Sequence, residues 1–474
     1  MEERQRELLL FQLGPVQEFI AQAETVGDLR AGSELLSELT AAALEVIPAY
    51  ETEAVFPAVK RGELKGIPNR FLVFVPQGEG KRLAEKATAA AQEGLMALAE
   101  ACWPKLEGVP RERHEAYRAQ VRAFLQTTWA VLKIPSGNMG ADYKAIGKLM
   151  AMRRSTRQFD AWHEEGCAAV KDFLSGKEAA LDVADDKAPN GDKAPNRNSG
   201  RGAMNLIKAL RAKAEEDEMG KWRERFKDDD YIAVIAMDGD HMGEKLSGFK
   251  TREEHRKFSE KLAGFASSVT VNAEDGVLIY AGGDDVLAVV KAPRAFELAK
   301  QWAGKFMKTI GEDGVTASAG IAIGSPKAPL QDLVHEAHAA ESRAKHVYGR
   351  DALAVSVLKR SGEILKWGCG WGSKALDIYD ALKDKGDALA DFAHKLAGFL
   401  KPYELGRLGA GGWTDMKPVV LAETLHAWKR TTGAEEALDR KLIETYLGEE
   451  NVKSHPEDFL GLFLCEDFIN RPRD

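Results

Sequence analysis

The sequence predicts an α+β protein built from more than one domain, and three observations support this prediction. A chain of 474 residues is longer than a single hydrophobic core usually organises. Strand and helix patterns alternate through residues 7–159, and residues 231–358 follow the order β-α-β-β-α-β. That order is typical of ferredoxin-like domains, in which an antiparallel sheet packs against two helices.

The composition is that of a globular protein from a reducing compartment. Hydrophobic residues make up 44% of the chain and charged residues 30%, and no apolar run approaches the roughly 18 residues that a membrane span needs. The N-terminus does not resemble a signal peptide. Four widely separated cysteines favour the cytoplasm and argue against an all-cysteine zinc site. The net charge of −8 argues against a protein that coats nucleic acid over its whole surface, but permits local basic patches.

Residues 1–162 are predicted to form the first domain. The apolar run at 7–13 predicts a strand that ends at Gly14, and Pro15 favours the first turn of a helix. The later elements of this domain are a helix at 32–47, strands at 54–59 and 71–75, helices at 81–101 and 112–127, a strand at 129–134 and a basic helix at 142–159.

Residues 163–226 are predicted to be an insert between two domains. Within it, residues 182–200 have almost no apolar side chains and repeat the sequence Asp-Lys-Ala-Pro-Asn, which is typical of a linker. A charged helix at 205–226 leads into the next domain.

Residues 227–358 are predicted to form the second domain, and residues 359–474 a helical domain without strands. The elements of the second domain are strands at 231–237, 277–281, 286–290, 315–323 and 353–358, with helices at 253–272, 293–310 and 330–347. The C-terminal helices are expected at 374–382, 389–400, 416–430 and 434–447.

The hairpin at 277–290 carries the most unusual chemistry of the chain. Its two apolar, β-branched strands flank a turn made of Gly282, Gly283, Asp284 and Asp285. Two adjacent carboxylates repel each other, so that a cation would stabilise such a turn. An ordinary solvated turn is the alternative, since Asp and Gly are common turn residues.

A further acid favours the cation. The first strand of the second domain ends at Asp238, and Gly239 after it lets a ligand approach the backbone closely. In a ferredoxin-like sheet this strand neighbours the central hairpin, so Asp238 is expected near Asp284 and Asp285. Three carboxylates at one edge suit Mg²⁺ or Mn²⁺, and a metal pair can activate a hydroxyl and stabilise a leaving pyrophosphate.

Several nearby residues fit a nucleoside triphosphate. Lys345 and Arg350 lie near the end of the helix at 330–347, where they could neutralise phosphates, although cations also favour helix C-termini in general. Ser318 and Gly320 are small residues on a strand. They either leave room for a base or allow close packing of a helix.

Separated motifs then give a family resemblance. The segments 237–243 (MDGDHMG), 280–287 (YAGGDDVL) and 318–322 (SAGIA) resemble the catalytic palm of the large subunit of type III CRISPR effector complexes. The segments 14–20 (GPVQEFI), 28–33 (DLRAGS) and 153–159 (RRSTRQF) resemble the first, degenerate palm of the Cmr (III-B) version. The resemblance implies two ferredoxin-like palm domains, of the nucleotide cyclase and polymerase type.

The resemblance also implies partners and an activity. The family assembles with a CRISPR RNA and other Cmr-type subunits, and on recognising target RNA it converts ATP into cyclic oligoadenylates for antiviral defence. Carried over, the catalytic metal ligands would be Asp238, Asp284 and Asp285, with Asp240 as a second-rank ligand and Gly239 beside them. The expected ATP-contacting residues are Gly282, Gly283, Ser318, Lys345 and Arg350. Two alternatives remain open, namely an ATP-binding scaffold without catalysis and transfer of AMP to a different acceptor.

Two departures from the family pattern lead to expected absences. The chain contains no His-Asp dipeptide, so DNase activity from an N-terminal His-Asp nuclease domain is not expected. The segment 171–181 resembles the remnant of a zinc module, with Asp172 and Ser175 where cysteines would stand and only Cys167 nearby. Structural zinc is therefore not expected.

Three further features have alternative interpretations. The basic helix could contact RNA or a neighbouring subunit, or be a solvated face; its cations are Lys144, Lys148, Arg153, Arg154 and Arg157. His241, beside the acidic strand end, is interpreted as a loop histidine rather than a metal ligand. Trp367, Trp371 and Trp413 could stack on bases, but packing in a core or against a subunit is the favoured interpretation.

Overall fold

The computed structural model describes most of the chain. The chain divides into two compact units. The described residues are 6–59, 64, 66–156, 170–182, 200–219, 231–311, 314–383, 385, 387–408, 410–433 and 438–470. The first unit comprises Met1–Trp222, His241–Ser268 and Ile279–Gly283, and the second comprises Arg223–Asp240, Val269–Leu278 and Asp284–Asp474. None of the helices in the described ranges is both long and apolar enough to cross a membrane.

The first unit contains a four-stranded sheet of ferredoxin-like order. Its elements are β1 (Arg6–Gly14), α1 (Gln17–Ala21), α2 (Val26–Glu45), α3 (Tyr50–Glu53), β2 (Ala54–Phe56), β3 (Arg70–Pro76), α4 (Gly80–Cys102), α5 (His114–Phe124), β4 (Gln126–Leu132) and α6 (Met139–Ser155). The strands lie in the order β2-β3-β1-β4, and each neighbouring pair is antiparallel. The α+β class and the ferredoxin-like arrangement predicted for this part of the chain are confirmed.

The hydrophobic pattern explains why helices cover both faces of this sheet. Helix α6 packs on one face, where Leu8, Leu72 and Ala130 meet Ile146 and Met150 in a buried cluster. Helices α2 and α4 contact each other and β1. Because a strand exposes alternate residues to opposite faces, a strand as apolar as β1 can fill both layers.

Some predicted boundaries in the first unit were wrong. The strand expected at 54–59 ends at Phe56, because Pro57 has no N–H to donate to a ladder. The helix expected to reach 127 ends at Phe124, since β4 begins at Gln126 and pairs with β1. The basic helix begins earlier than expected, at Met139, where the Asn138 side chain caps it. Its predicted end at 159 lies outside the described residues.

The described part of the insert is organised around a buried carboxylate. Asp172 is 1% exposed, and its oxygens accept hydrogen bonds from the backbone N–H groups of Leu174 at 2.9 Å, Ser175 at 2.7 Å and Gly202 at 2.5 Å. The side-chain amide of Asn205 also donates to it, at 3.0 Å. Hydrogen bonds to Asp172 therefore join this turn to the start of helix α7 (Ala203–Met219). Cys167 and most of the predicted linker lie outside the described residues.

The second sheet has six strands and the same ferredoxin-like core. Its elements are β5 (Ile232–Gly239), α8 (Met242–Gly248), α9 (Arg252–Ser268), β6 (Gly276–Ala281), β7 (Val286–Lys291), α10 (Ala292–Ile310), β8 (Ala317–Gly324), α11 (Leu330–His346), β9 (Ala352–Leu358) and β10 (Ile364–Gly370). The strand order is β10-β9-β8-β5-β7-β6, so the four strands β8-β5-β7-β6 match the order of the first sheet. The second predicted ferredoxin-like arrangement is thereby confirmed.

Helix α9 belongs to the first unit, although it lies between β5 and β6 in the chain. Arg252 forms an ion pair with Glu53 at 3.1 Å, and Arg256 donates to the backbone oxygen of Ala54 at 2.6 Å. These contacts join α9 to the segment around α3 and β2. The boundaries of the four domains derived from the sequence stay predictions.

The expectation of no strand after residue 359 was wrong, because β10 pairs antiparallel with β9. A tight turn connects the two strands: Lys359 N–H donates to Glu363 O at 2.9 Å, and Gly362 has a φ of +87°. Gly368 in β10 is required by packing, since a Cβ there would lie 2.3 Å from the ring of Tyr348. Two glycines weaken the strand pattern in the sequence, and a partner strand compensates for them in the fold.

The C-terminal region is otherwise helical, as predicted. Its helices are α12 (Lys374–Leu382), α13 (Asp387–Leu400), α14 (Ala410–Thr432), α15 (Arg440–Tyr446), α16 (Glu450–Ser454) and α17 (Glu457–Asn470). Trp367 and Trp413 are at most 1% exposed, which confirms the packing interpretation for both. Trp371 donates its indole N–H to Ala317 O at 2.8 Å.

A partly buried hydrogen bond joins α17 to the segment after α11. The Tyr348 hydroxyl donates to the Asp458 carboxylate at 2.8 Å, and burial raises the pKa of Asp458 to about 7, with the Tyr348 hydrogen bond opposing the rise. Because the folded pKa exceeds the unfolded one, the stability contributed by protonated Asp458 is present at low pH and is lost as the pH rises through about 7.

We therefore expect Asp458→Asn to lose less stability between pH 5 and pH 8 than the parent chain does, as measured by the shift of the urea midpoint. Asparagine keeps an acceptor for Tyr348 but has no proton to lose. Glu450→Gln is the matched control, because the Glu450 side chain is 82% exposed. Equal pH dependence in the parent and Asp458→Asn would contradict the prediction.

Candidate functional site

The predicted meeting of strand β5 with the hairpin is found in the second sheet. Strands β5 and β7 pair antiparallel, and their last pair is Met237 with Val286. One residue beyond that pair stand Asp238 on one strand and Asp285 on the other. Asp238 and Asp285 therefore lie side by side at the ends of two neighbouring strands.

The turn between β6 and β7 has the conformation that its glycines permit. Gly283 has a φ of +93°, a backbone conformation that favours glycine, and a Cβ at Gly282 would meet no atom within 4 Å. Asp284 and Asp285 are both partly exposed. The turn thus carries two partly exposed carboxylates directly before β7.

Asp238 is bound by a cation from helix α11. The Lys345 ammonium donates to an Asp238 carboxylate oxygen and lies 2.8 Å from Glu341, one helical turn earlier. Burial raises the pKa of Asp238; Glu341 and Asp240 add to the rise and Lys345 opposes it. Burial alone would lower the pKa of Lys345, but its two carboxylate partners outweigh that effect and raise it. The Lys345 ammonium therefore opposes the effect of burial on the Asp238 carboxyl group.

Asp240 has a different environment, although it lies only two residues further. It is 1% exposed, and its carboxylate accepts hydrogen bonds from Thr316 Oγ1 at 2.7 Å, Ser318 Oγ at 2.9 Å and Asp351 N–H at 3.0 Å. The Asp240 N–H donates in turn to Thr316 O at 2.7 Å. Asp240 thus anchors the end of β5 to β8 and to the segment before β9.

Contacts within the fold explain why the two residues Ser318 and Gly320 on β8 are small. Ser318 is fully buried and donates to Asp240. A Cβ on Gly320 would lie 2.1 Å from Glu341 N and 2.2 Å from Ala337 O, so only glycine lets α11 approach the sheet this closely. Of the two interpretations from sequence, helix packing is the one found for Gly320.

Arg350 and His241 lie at turns. Gly349, Arg350 and Asp351 have φ values of +80°, +71° and +46°, and Arg350 N–H donates to Ala344 O at 3.1 Å. His241 has a φ of +57° and precedes α8. Its Nδ1 lies 3.4 Å from Glu244 Oε2, in agreement with its interpretation as a loop histidine.

Sequence reasoning missed three residues of this site: Glu341, Thr316 and Asp351. The spacing of Glu341 and Lys345 by four residues on one helix was a usable signal for an ion pair. The contacts of Thr316 and Asp351 with Asp240 depend on strand register and left-handed backbone, which no local pattern indicates.

The carboxylate oxygens at the adjacent ends of β5 and β7 are of the type that binds a hard divalent cation. Carboxylate oxygens are the ligands that Mg²⁺ and Mn²⁺ prefer, and Lys345 already places a positive charge against Asp238. Across the described residues, however, Asp, Glu, His and Cys side chains nowhere gather in a group of three or more that could hold a metal ion. The metal-binding role of Asp238, Asp284 and Asp285 stays a prediction.

Comparisons with known proteins find two stretches of this chain that match family models. Residues 231–354 match the model of the Cas10/Cmr2 second palm domain, and residues 8–100 match the N-terminal model of CRISPR-associated protein Cmr2. The two matches follow the same order as the two sheets. The chain is therefore similar to Cas10/Cmr2 proteins in these two stretches. The adjacent ends of β5 and β7 lie within the residues that match the second palm domain.

Individual proteins show the same similarity, and the chain spans only a fifth of the length of the curated relative that it matches. The Cmr subunit Cmr2 of Pyrococcus furiosus is 34% identical over 173 residues, which cover 30% of this chain and 20% of that protein. A type III-B Cmr-beta complex in its apo state contains a chain that superposes with a TM-score of 0.61 at 12% identity, over 93% of this chain and 79% of that one. A chain of the Csm1–Csm4 cassette in complex with cA3 superposes with a TM-score of 0.54 at 15% identity, over 99% and 70%. At these identities the structures establish a shared fold.

Proposed function

We propose that this chain is a Cas10/Cmr2-type protein and the nucleotidyltransferase subunit of a type III CRISPR effector complex. In this proposal it assembles with other Cmr-type subunits, a CRISPR RNA and a target RNA, and it converts ATP into cyclic oligoadenylates. The observation that carries the proposal is the placement of Asp238 and Asp285 on neighbouring strands, one residue past the last β5–β7 pair. The Gly-Gly-Asp-Asp turn presents Asp284 beside them.

The reaction would be attack of a 3′-hydroxyl on the α-phosphate of ATP, with pyrophosphate as leaving group. Asp238, Asp284 and Asp285 would hold Mg²⁺ or Mn²⁺, which when bound lowers the pKa of an attacking hydroxyl and offsets charge on the phosphates. Lys345 would turn from Asp238 toward phosphate oxygens, while Glu341 keeps its ammonium at the site. Asp240 holds β5 and the segment before β9 in register around these groups.

Two alternatives use the same site. An ATP-binding scaffold is favoured by the Lys345–Asp238 contact, since it neutralises the acid that catalysis would require. Transfer of AMP to a different acceptor needs the same carboxylates and the same leaving group. The nature of the product separates the three possibilities.

The test is product analysis of the assembled complex. We expect the complex with guide and target RNA, supplied with labelled ATP and Mg²⁺ or Mn²⁺, to yield cyclic oligoadenylates in mass spectrometry, and Asp284→Ala with Asp285→Ala to abolish them. Glu274→Ala removes an exposed carboxylate at the opposite end of the same hairpin and should leave product formation unchanged. Bound but unconverted ATP would establish the scaffold, and an AMP adduct would establish the other acceptor.

A further inference from the structure

The free edge of the first sheet carries a groove with no assigned role. Strand β4 is the last strand in the order β2-β3-β1-β4, and within the described residues no strand pairs with its other side. A cavity of about 630 Å³ lies against β4, lined by Lys81, Trp129, Lys133, Leu149, Met152 and Arg153 among others. We call this cavity the β4 groove.

Exposed apolar side chains concentrate at the β4 groove. Met152 is 59% exposed and Leu149 37%, and both lie in the last turns of α6. Ile134, which follows β4, is 83% exposed. Apolar side chains of this size, clustered beside an open strand edge, are typical of a surface that a partner covers.

The groove also carries an excess of positive charge. Lys81, Lys133 and Arg153 line it, and in the described part of the chain neither Lys133 nor Arg153 forms an ion pair. The lining contains one acid against these three cations, Glu7, which is 5% exposed and accepts the Gly80 N–H at 2.8 Å at the start of helix α4. A partner with negative charge would complement this groove.

We infer that the β4 groove binds an extended, acidic segment of a partner protein, which adds to β4 as a further strand. Alternate residues of an edge strand direct their N–H and C=O groups away from the sheet. Another extended backbone can form hydrogen bonds with all of these groups in turn. Nucleic acid fits less well, because the exposed side chains are aliphatic and the Arg153 guanidinium already covers a face of Trp129 at 3.9 Å. The basic helix of the sequence analysis is thereby assigned to a protein contact.

The experiment uses the full chain and synthetic probes. The principal probe is a fluorescent seven-residue peptide of alternating valine and glutamate; a second carries the same side chains with alternate backbone amides methylated, and a third is an oligoadenylate RNA of seven nucleotides. We expect the first peptide to bind, to slow hydrogen exchange of amides in residues 126–132, and to bind at least about tenfold more tightly than its methylated copy, which cannot pair as a strand.

Matched variants locate the contact. Arg153→Glu and Met152→Asp should each weaken peptide binding about tenfold, whereas Lys144→Glu, at an exposed position on the same helix outside the groove, should change it less than about twofold. No peptide binding, equal binding of the methylated copy, or displacement of the peptide by the RNA would each overturn the inference. The result does not depend on catalysis, so the groove and the proposed activity succeed or fail separately.

Discussion

Changing Asp238 to asparagine is expected to lower ATP-dependent product formation at least about a thousandfold while changing the free energy of unfolding by less than about 1 kcal/mol. Asparagine lacks the negative charge that a divalent cation requires. The fold has little to lose, because burial already raises the pKa of Asp238 and Lys345 retains Glu341 as a partner. Product formation by the assembled complex and urea unfolding of the chain are the two measurements.

Asp240→Ala is the matched comparison and should show the opposite pattern. It leaves the hydroxyls of Thr316 and Ser318 and the N–H of Asp351 without their acceptor, so we expect a loss of about 2–4 kcal/mol in the free energy of unfolding. Comparable destabilisation by Asp238→Asn, or unaltered product formation, would contradict the distinct roles proposed for these two acids.

Gly320→Ala is expected to destabilise the second unit by roughly 3 kcal/mol. The new methyl group would lie 2.1 Å from Glu341 N and 2.2 Å from Ala337 O, and backbone atoms cannot rotate aside as a side chain can. Helix α11 would have to move away from β8, taking Lys345 with it. Product formation should therefore fall together with the urea midpoint.

Gly304→Ala in α10 provides the control of identical chemistry. Its Cβ would meet no atom within 4 Å, so we expect unchanged or slightly greater stability, by about 0.5–1 kcal/mol, from the better helix propensity of alanine. Equal effects of the two substitutions would show that β8 and α11 tolerate separation, and that Gly320 is present for another reason.

The architecture of both sheets was predictable because their strands are apolar runs separated by strong breakers. The hairpin at β6 and β7 is an example: β-branched residues on both sides of Gly282 and Gly283 leave few other conformations. Strand β10 was missed for the converse reason. Its glycines weaken the local pattern, and its stability comes from pairing with β9 and from the Tyr348 ring packed against Gly368.

The sequence by itself determined the order of the strands, the acid at the end of β5 and the two carboxylates of the turn, since these follow from hydrophobic periodicity and residue type. Only the tertiary structure decided the partners of the two acids at the end of β5. Asp238 contacts the Lys345 ammonium, whereas Asp240, two residues further, is enclosed by Thr316, Ser318 and Asp351. Hydrogen-bond donors from distant segments make that difference, and their positions depend on how β8, α11 and β9 pack against β5.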